Sequence, residues 1–234
     1  MGLKVSYGPN IVTDSIVLTI DAGNRNSYIG SGTNWNDLSG NASNGTLTNG
    51  PTFNSDNGGS IVFDSIDDHV LVASNASIPT GSAARTVSIW FYTNTTSWLT
   101  NVNTLFHYGT GSTGASFGID MDVFPKMEFF SWGGAGRDLI FNTTFSEVGW
   151  KNICVTYDGI TTVLIYENGV NTQTLTLSSA CNTSATGVYI GAANPSAISS
   201  YFDGRISSTK LYNRALSSAE IQQNFNALRG RFGV

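Results

Sequence analysis

Asp120 and Asp122 lie in a run, Ser116 to Val123, that alternates as a strand does, so their carboxylates share one face; Glu128 follows across a short turn. Two or three carboxylates on one sheet face can hydrolyse a glycoside, one as acid and another as nucleophile or base. A solvated strand face is the plainer reading of the same residues, and it is the expectation for Asp120 and Asp122. The densest acidic cluster is Phe63-Asp64-Ser65-Ile66-Asp67-Asp68. Oxygen-rich side chains at that spacing can hold Ca²⁺, although no EF-hand loop is present, and they can equally cap a turn. Asp64, Asp67 and Asp68, with Asp203, form the candidate metal set.

The five tryptophans offer flat apolar faces that suit the apolar side of a sugar ring. Trp90 and Trp150 fall in alternating strands and are expected to be buried. Trp98, in the polar stretch Asn94 to Asn103, is expected to be exposed, and Trp132 before Gly133-Gly134 could be either. For a chain that binds carbohydrate, the candidate set is Trp98, His107, Asp120, Asp122 and Trp132.

Two enzyme motifs match in pattern and fail in context. Gly109-Thr110-Gly111-Ser112-Thr113-Gly114 fits the G-x-G-x-x-G of dinucleotide sites, and Gly114-Ala115-Ser116-Phe117-Gly118 fits a G-x-S-x-G nucleophile elbow. Both motifs need a helix to follow, and here a strand pattern follows. Only His69 and His107 could act as base for Ser116.

Composition fixes what must position these residues. Of 234 residues only 12% are charged, and more than four in ten are Ser, Thr, Asn or Gly. Such a chain is poor in helix formers and rich in strand and turn residues, which excludes a helical bundle or coiled coil. A net charge of −5 makes nucleic acid a poor partner. No apolar run approaches the ~20 residues of a membrane span, and no secretory signal is read at the N-terminus. Six Asn-x-Ser/Thr triplets are taken as coincidence at this composition. Cys154 and Cys181 are expected to be thiols, because no disulfide framework is visible.

Turn signals punctuate the chain at Asn44-Gly45, Asn49-Gly50-Pro51, Asn57-Gly58-Gly59, Asp158-Gly159, Asn168-Gly169 and Asp203-Gly204. Ser15 to Asp21 places Ile16, Leu18 and Ile20 on one face; Thr86 to Thr93 places Val87, Ile89 and Phe91 opposite Ser88, Trp90 and Tyr92. Trp150 to Tyr157 and Thr162 to Glu167 read as a hairpin. About a dozen strands in two packed antiparallel sheets are expected, an all-β sandwich spanning residues 15–234. One helix is expected near the end: Ser217-Ser218-Ala219-Glu220 fits a capping box, Ile221, Phe225 and Leu228 fall at helical spacing, and Gly230 would stop it. Residues 1–14 read as an extended arm, in which Leu3, Val5 and Tyr7 alternate with Gly2, Lys4 and Ser6. Such a segment can add to an exposed sheet edge of a neighbouring protein or of its own sandwich.

The order of these segments resembles the laminin-G-like, concanavalin A-like lectin/glucanase superfamily. The resemblance is carried by Leu18-Thr19-Ile20-Asp21-Ala22-Gly23-Asn24, Trp35-Asn36-Asp37-Leu38-Ser39-Gly40, Phe63-Asp64 with Asp67-Asp68, and Trp150 to Gly159. It is most specific in Phe202-Asp203-Gly204-Arg205-Ile206 and Leu211-Tyr212-Asn213-Arg214-Ala215-Leu216-Ser217. It implies a jelly-roll sandwich. Two departures stand out: Ser65 where the family often has Gly, and Ser207-Ser208 where it often has two acids. The catalytic Glu-x-Asp-x-(x)-Glu pattern of the family's glucanases is absent, so the resemblance implies no enzyme. The Trp-Asn-Asp-Leu-Ser-Gly and Asn-Arg-Ala-Leu-Ser segments and the Lys-poor acidic character also resemble single-domain structural proteins of tailed, often marine, bacteriophages. That implies a virion surface component, decorating a capsid or forming part of a tail or fibre, made in the host cytoplasm. Its expected partners are other virion proteins, further copies of itself, and glycans of the host surface. A free or fibre-borne lectin is the alternative, and a glycan hydrolase or lyase using Asp120, Asp122 and Glu128 the third reading.

Overall fold

A computed structural model describes residues 9–94, 102–194 and 196–234. The expected arm residues Leu3, Val5 and Tyr7, and Trp98, lie outside the described residues. In chain order the strands are β1 (Ile16–Asp21), β2 (Asn34–Trp35), β3 (Gly45–Thr48), β4 (Thr52–Asn54), β5 (Ser60–Asp64), β6 (His69–Val72), β7 (Arg85–Thr93) and β8 (Asn103–Gly109). There follow β9 (Ser116–Met121), β10 (Lys126–Phe130), β11 (Asp138–Asn142), β12 (Gly149–Tyr157), β13 (Thr162–Glu167), β14 (Val170–Thr176), β15 (Val188–Ile190) and β16 (Asp203–Tyr212). One helix, α1 (Ser218–Phe232), closes the chain. More strands form than the sequence pattern separates, because β2, β4 and β15 are too short to show a period.

The strands form two eight-stranded sheets. The first runs β14-β13-β12-β7-β16-β5-β4, with β1 paired to the far half of β16; the second runs β11-β10-β9-β8-β15-β6-β3-β2. All the strand pairs are antiparallel. The core between the sheets is built by alternation. Val87, Ile89 and Phe91 from the first sheet meet Phe117, Ile119, Met127 and Phe129 from the second. In β1 the alternation breaks: a register shift between Ile16 and Leu18 buries both Val17 and Leu18 in the core and sends Ile16 to the cluster around Tyr212.

The outer face of the first sheet is covered by α1. Its capping box is present, Ser217 accepting from the Glu220 amide while Glu220 accepts from Ser217, and Arg214 forks onto the Glu220 carboxylate at 2.6 and 2.9 Å. The helix passes Gly230 and ends at Gly233, whose φ of 73° supplies the left-handed cap. The extra turn brings Phe232 onto Trp90, ring centroids 4.2 Å apart, and beside Trp150 at 4.6 Å. Trp90 and Trp150 are buried, but beneath the helix and not between the sheets. Asn10 and Val12 are pinned to the same region: Gln223 donates to the Asn10 carbonyl, the Val12 amide to Asn224, and Tyr212 to the Val12 carbonyl. Cys154 and Cys181 are separate buried thiols.

Candidate functional site

The outer face of the second sheet is not covered by a helix, and there the chemistry-bearing residues collect. Register decides which. Glu128 stands directly opposite Asp120, which stands opposite Thr104; Asp138 stands opposite Phe130, which stands opposite Gly118 and then His107. Directly opposed antiparallel residues have Cβ atoms roughly 4.5–5.5 Å apart. Because Ile119 and Phe129 point into the core, Asp120, Glu128 and Phe130 must point out. A cleft of about 170 Å³ opens there, lined by Asp120, Glu128, Phe130, Trp132 and Asp138 and walled by Ala193, Ser199 and Ser200. The wall is held by paired amide bonds between Ala193 and Ser199, both 2.9 Å, and by the Thr104 amide on the Ser200 carbonyl.

Asp120 is 6% exposed, which corrects the expectation of a solvated face: the wall formed by Ala193, Ser199 and Ser200 covers the strand that sequence alone leaves open. Its Oδ1 has no hydrogen-bond partner, and neither has Asp138 Oδ1. The other Asp138 oxygen accepts from the Gly134 amide at 2.6 Å. Burial, and then the neighbouring charges of Glu128, Asp138 and Asp122, push the Asp120 carboxyl well above the usual range. Glu128 is pushed up to about 7 by burial and then by Asp138 and Asp122. Asp122 itself does not line the cleft; its carboxylate accepts from the Val123 amide in the β9–β10 turn.

Trp132 stands at the cleft, 39% exposed, on a backbone with φ of 68°. A bulky residue in the left-handed region is an outlier costing about 1–3 kcal/mol, and such strain gathers at ligand sites. Its carbonyl accepts from Gly114 at 2.7 Å, which ties the strained turn to the β8–β9 loop. Three glycines of the two enzyme motifs, Gly109, Gly114 and Gly118, have structural reasons. A Cβ on Gly118 would fall about 2.0 Å from the Phe130 ring, so glycine there is the bed on which Phe130 lies. Gly109 and Gly114 have φ of 104° and 73°.

His107 is fully buried behind Phe130, the rings stacked at 5.5 Å, so it supports the cleft from beneath and does not line it. Its Nε2 is 3.1 Å from Ser116 Oγ, the one geometric echo of the nucleophile motif. Its Nδ1, however, accepts from the Asn194 amide, which leaves the proton on Nε2 facing the serine. Burial also holds the imidazole down at about 4. That tautomer donates to Ser116 Oγ, which in turn donates to the Thr110 carbonyl at 2.9 Å; it cannot take the serine's proton.

The carboxylates of Asp64, Asp67 and Asp68 converge within 4.8 Å of one another, at the β5–β6 turn. Two of them serve the turn: Asp64 accepts from the Ile66 amide and Asp68 from the Asp64 amide. One oxygen of each is left over, so the trio can offer Ca²⁺ three carboxylate ligands, below the 6–8 oxygens the ion takes. Asp203 pairs with Asp64 in register without joining this group. Ser65, at φ of 67°, occupies the left-handed position of the turn, which is where a glycine would sit without strain.

Asp138, Phe130 and the wall at Ala193, Ser199 and Ser200 are the parts that sequence reading misses. The Gly133-Gly134-Ala135-Gly136 loop was the available signal: a tight reversal there turns Asp138 back beside Phe130.

Two antiparallel sheets around an inter-sheet apolar core, with one outer face under a helix and the other carrying an acidic cleft, define a jelly-roll sandwich. Residues 63–222 match the model of the concanavalin A-like lectin/glucanases superfamily, and the chain belongs to that family. No curated protein matches it. Among solved structures it is similar to the binding domain of Paraclostridial Mosquitocidal Protein 1, with 16% identity, a TM-score of 0.70, and coverage of 92% of this chain and 52% of that one. It is also similar to the binding domain of botulinum neurotoxin DC. The structure of that domain in complex with SialylT gives 16% identity, a TM-score of 0.69 and coverage of 92% and 52%. The structure with rat synaptotagmin II gives 14%, 0.70, and 93% and 52%. The chain spans about half the length of these proteins, and at such identity the likeness is one of fold.

Proposed function

We propose that this domain is a non-catalytic recognition module that binds a glycan in the cleft between Trp132 and the Asp120–Glu128–Asp138 carboxylates, and that it does so as a surface component of a virion. One observation carries the binding reading: an aromatic ring held in strained backbone at the mouth of a cleft in which two carboxylate oxygens lack partners. Unpaired acceptors beside a flat apolar face are complementary to the hydroxyl edge and apolar face of a sugar ring. The cleft volume is below the roughly 300–1,000 Å³ of enclosed ligand pockets, so it suits one ring of a longer chain. The botulinum neurotoxin DC binding domain, a structural neighbour, is named in complex with SialylT and with synaptotagmin II, which agrees with a recognition role for the fold.

The non-catalytic reading is supported by the absence from the sequence of the Glu-x-Asp-x-(x)-Glu pattern of the family's glucanases. The virion role is supported by the segments Trp35 to Gly40 and Asn213 to Ser217 and by the acidic, Lys-poor composition. A glycan array probed with the parent and with Trp132→Ala tests binding: the parent is expected to bind a defined subset that the variant loses while melting at the same temperature. Polysaccharide cleavage by the parent would overturn the non-catalytic half. Failure to co-sediment with particles would overturn the virion half.

A further inference from the structure

Resting on the glycan-binding reading of the cleft, we infer that its preferred ligand is a cationic amino sugar, whose ammonium group sits against Asp120 Oδ1 and Asp138 Oδ1 while its ring lies on Trp132. Three observations lead there. First, three carboxylates line a cleft of about 170 Å³, and among the described residues none of them forms an ion pair. Second, Asp120 is more than nine-tenths buried, yet Oδ1 has no donor, and on β11, beyond β10, the half-buried Asp138 also holds an Oδ1 without one. A buried carboxylate oxygen left without a donor is costly, and a ligand that brings several N–H groups and a positive charge relieves it best. Third, Trp132, 39% exposed, lines the same cleft beside Phe130, and an aromatic ring attracts a cation the more when the site is partly desolvated.

The surrounding charges sharpen the choice. Facing the cluster are Asp122 at the end of the β9 segment, Lys126 two residues before Glu128, and His107, which is buried behind Phe130 and held neutral by its surroundings. Lys126 is exposed at the far end of β10 and makes no ion pair with the cluster. An acidic sugar would bring further negative charge to carboxyls whose mutual repulsion already resists ionisation. A neutral or N-acetylated sugar would satisfy the oxygens but leave the charge uncompensated. Burial raises the Asp120 carboxyl and holds Glu128 at about 7, and the sugar amine gives up its own proton in the same range, so the preference for the amine is greatest just below neutrality and falls on either side.

Calorimetric titration with four tetrasaccharides decides it: β-1,4-linked glucosamine, its fully N-acetylated form, cellotetraose and tetragalacturonate. The expected result is glucosamine tetramer binding about tenfold tighter than the N-acetylated form, a difference that shrinks at pH 5 and at 0.5 M salt. Asp138→Asn, which keeps the shape of the side chain, is expected to erase that preference and spare binding of the neutral sugars. Equal affinity for the glucosamine, N-acetylglucosamine and glucose tetramers would overturn the amine inference and leave the glycan reading standing. Tighter binding of tetragalacturonate would do the same. No binding of any tetramer, with the parent shown folded by its melting curve, would overturn both. A glucosamine preference that Asp138→Asn leaves intact would place the ammonium elsewhere and overturn the inference.

Discussion

At the scale of single residues, the cleft and the acidic turn are where charge has been placed against its own interest. Glu128, pushed up to about 7, binds protons in the folded chain that its unfolded counterpart has released. A group with a raised folded value contributes stability at low pH that is lost as pH climbs through it. Glu128→Gln is therefore expected to match the parent near pH 4 and to melt progressively higher than the parent as pH rises through 7. A pH-independent difference in melting temperature would contradict the account of Glu128. Asp68, raised to about 6 by burial and then by Asp64, carries the same sign in a lower window. Calcium at that turn stays a proposal with a direct test: millimolar Ca²⁺ is expected to raise the parent's melting temperature, and to leave Asp68→Asn unmoved. An identical response from both proteins would remove the ion from the turn. Asp37 shows how an acid reads when it is structural. It accepts from the amides of Thr19, Ser39 and Ser43, and all three bonds lie within 2.8–3.1 Å.

At the scale of elements, the helix and its aromatic bed show how much local sequence can specify. The capping box, the Ile221 and Phe225 face and the β12–β13 hairpin all follow from spacing over a few residues, and all are present. The helix end was misplaced at Gly230 because its stop is decided by a long-range contact, Phe232 seated on Trp90 and Trp150. Trp150→Ala is expected to cost about 3–5 kcal/mol, as large buried truncations do. It removes the contact with Phe232 and the indole hydrogen bond to Asn57 Oδ1 at 3.0 Å. Chemical unfolding measures it, and a midpoint unchanged from the parent would show that α1 is not held by this bed. The residues that carry the family resemblance turn out to be scaffold of the same kind: Trp35 is fully buried, Asp37 organises its loop, and Arg214 braces the capping box. That is why the fold was legible. The cleft was only half legible: Asp120 and Glu128 share a face by alternation, but Asp138 and the wall at Ala193, Ser199 and Ser200 reach them through strand register and loop closure, which no local pattern encodes.

At the scale of the whole molecule, the two outer faces divide the labour. One is sealed by α1, with Asn10 and Val12 bonded to Gln223, Asn224 and Tyr212; the other carries the cleft. Deleting residues 2–9 leaves those bonds in place, so the truncated chain is expected to keep its melting temperature and to lose assembly with the proposed virion partner or with further copies. A large fall in melting temperature would return that segment to its own fold. The central claim is that a glycan is recognised at Trp132, and the indole N–H resonances of the five tryptophans test it most directly. Trp35, Trp90 and Trp150 are buried away from the cleft and report on folding alone. Titration of ¹⁵N-labelled protein with a glycan that it binds is expected to shift the Trp132 indole in a saturable manner and to leave those three still. Saturable shifts confined to Trp98, with Trp132 unmoved, would contradict the account.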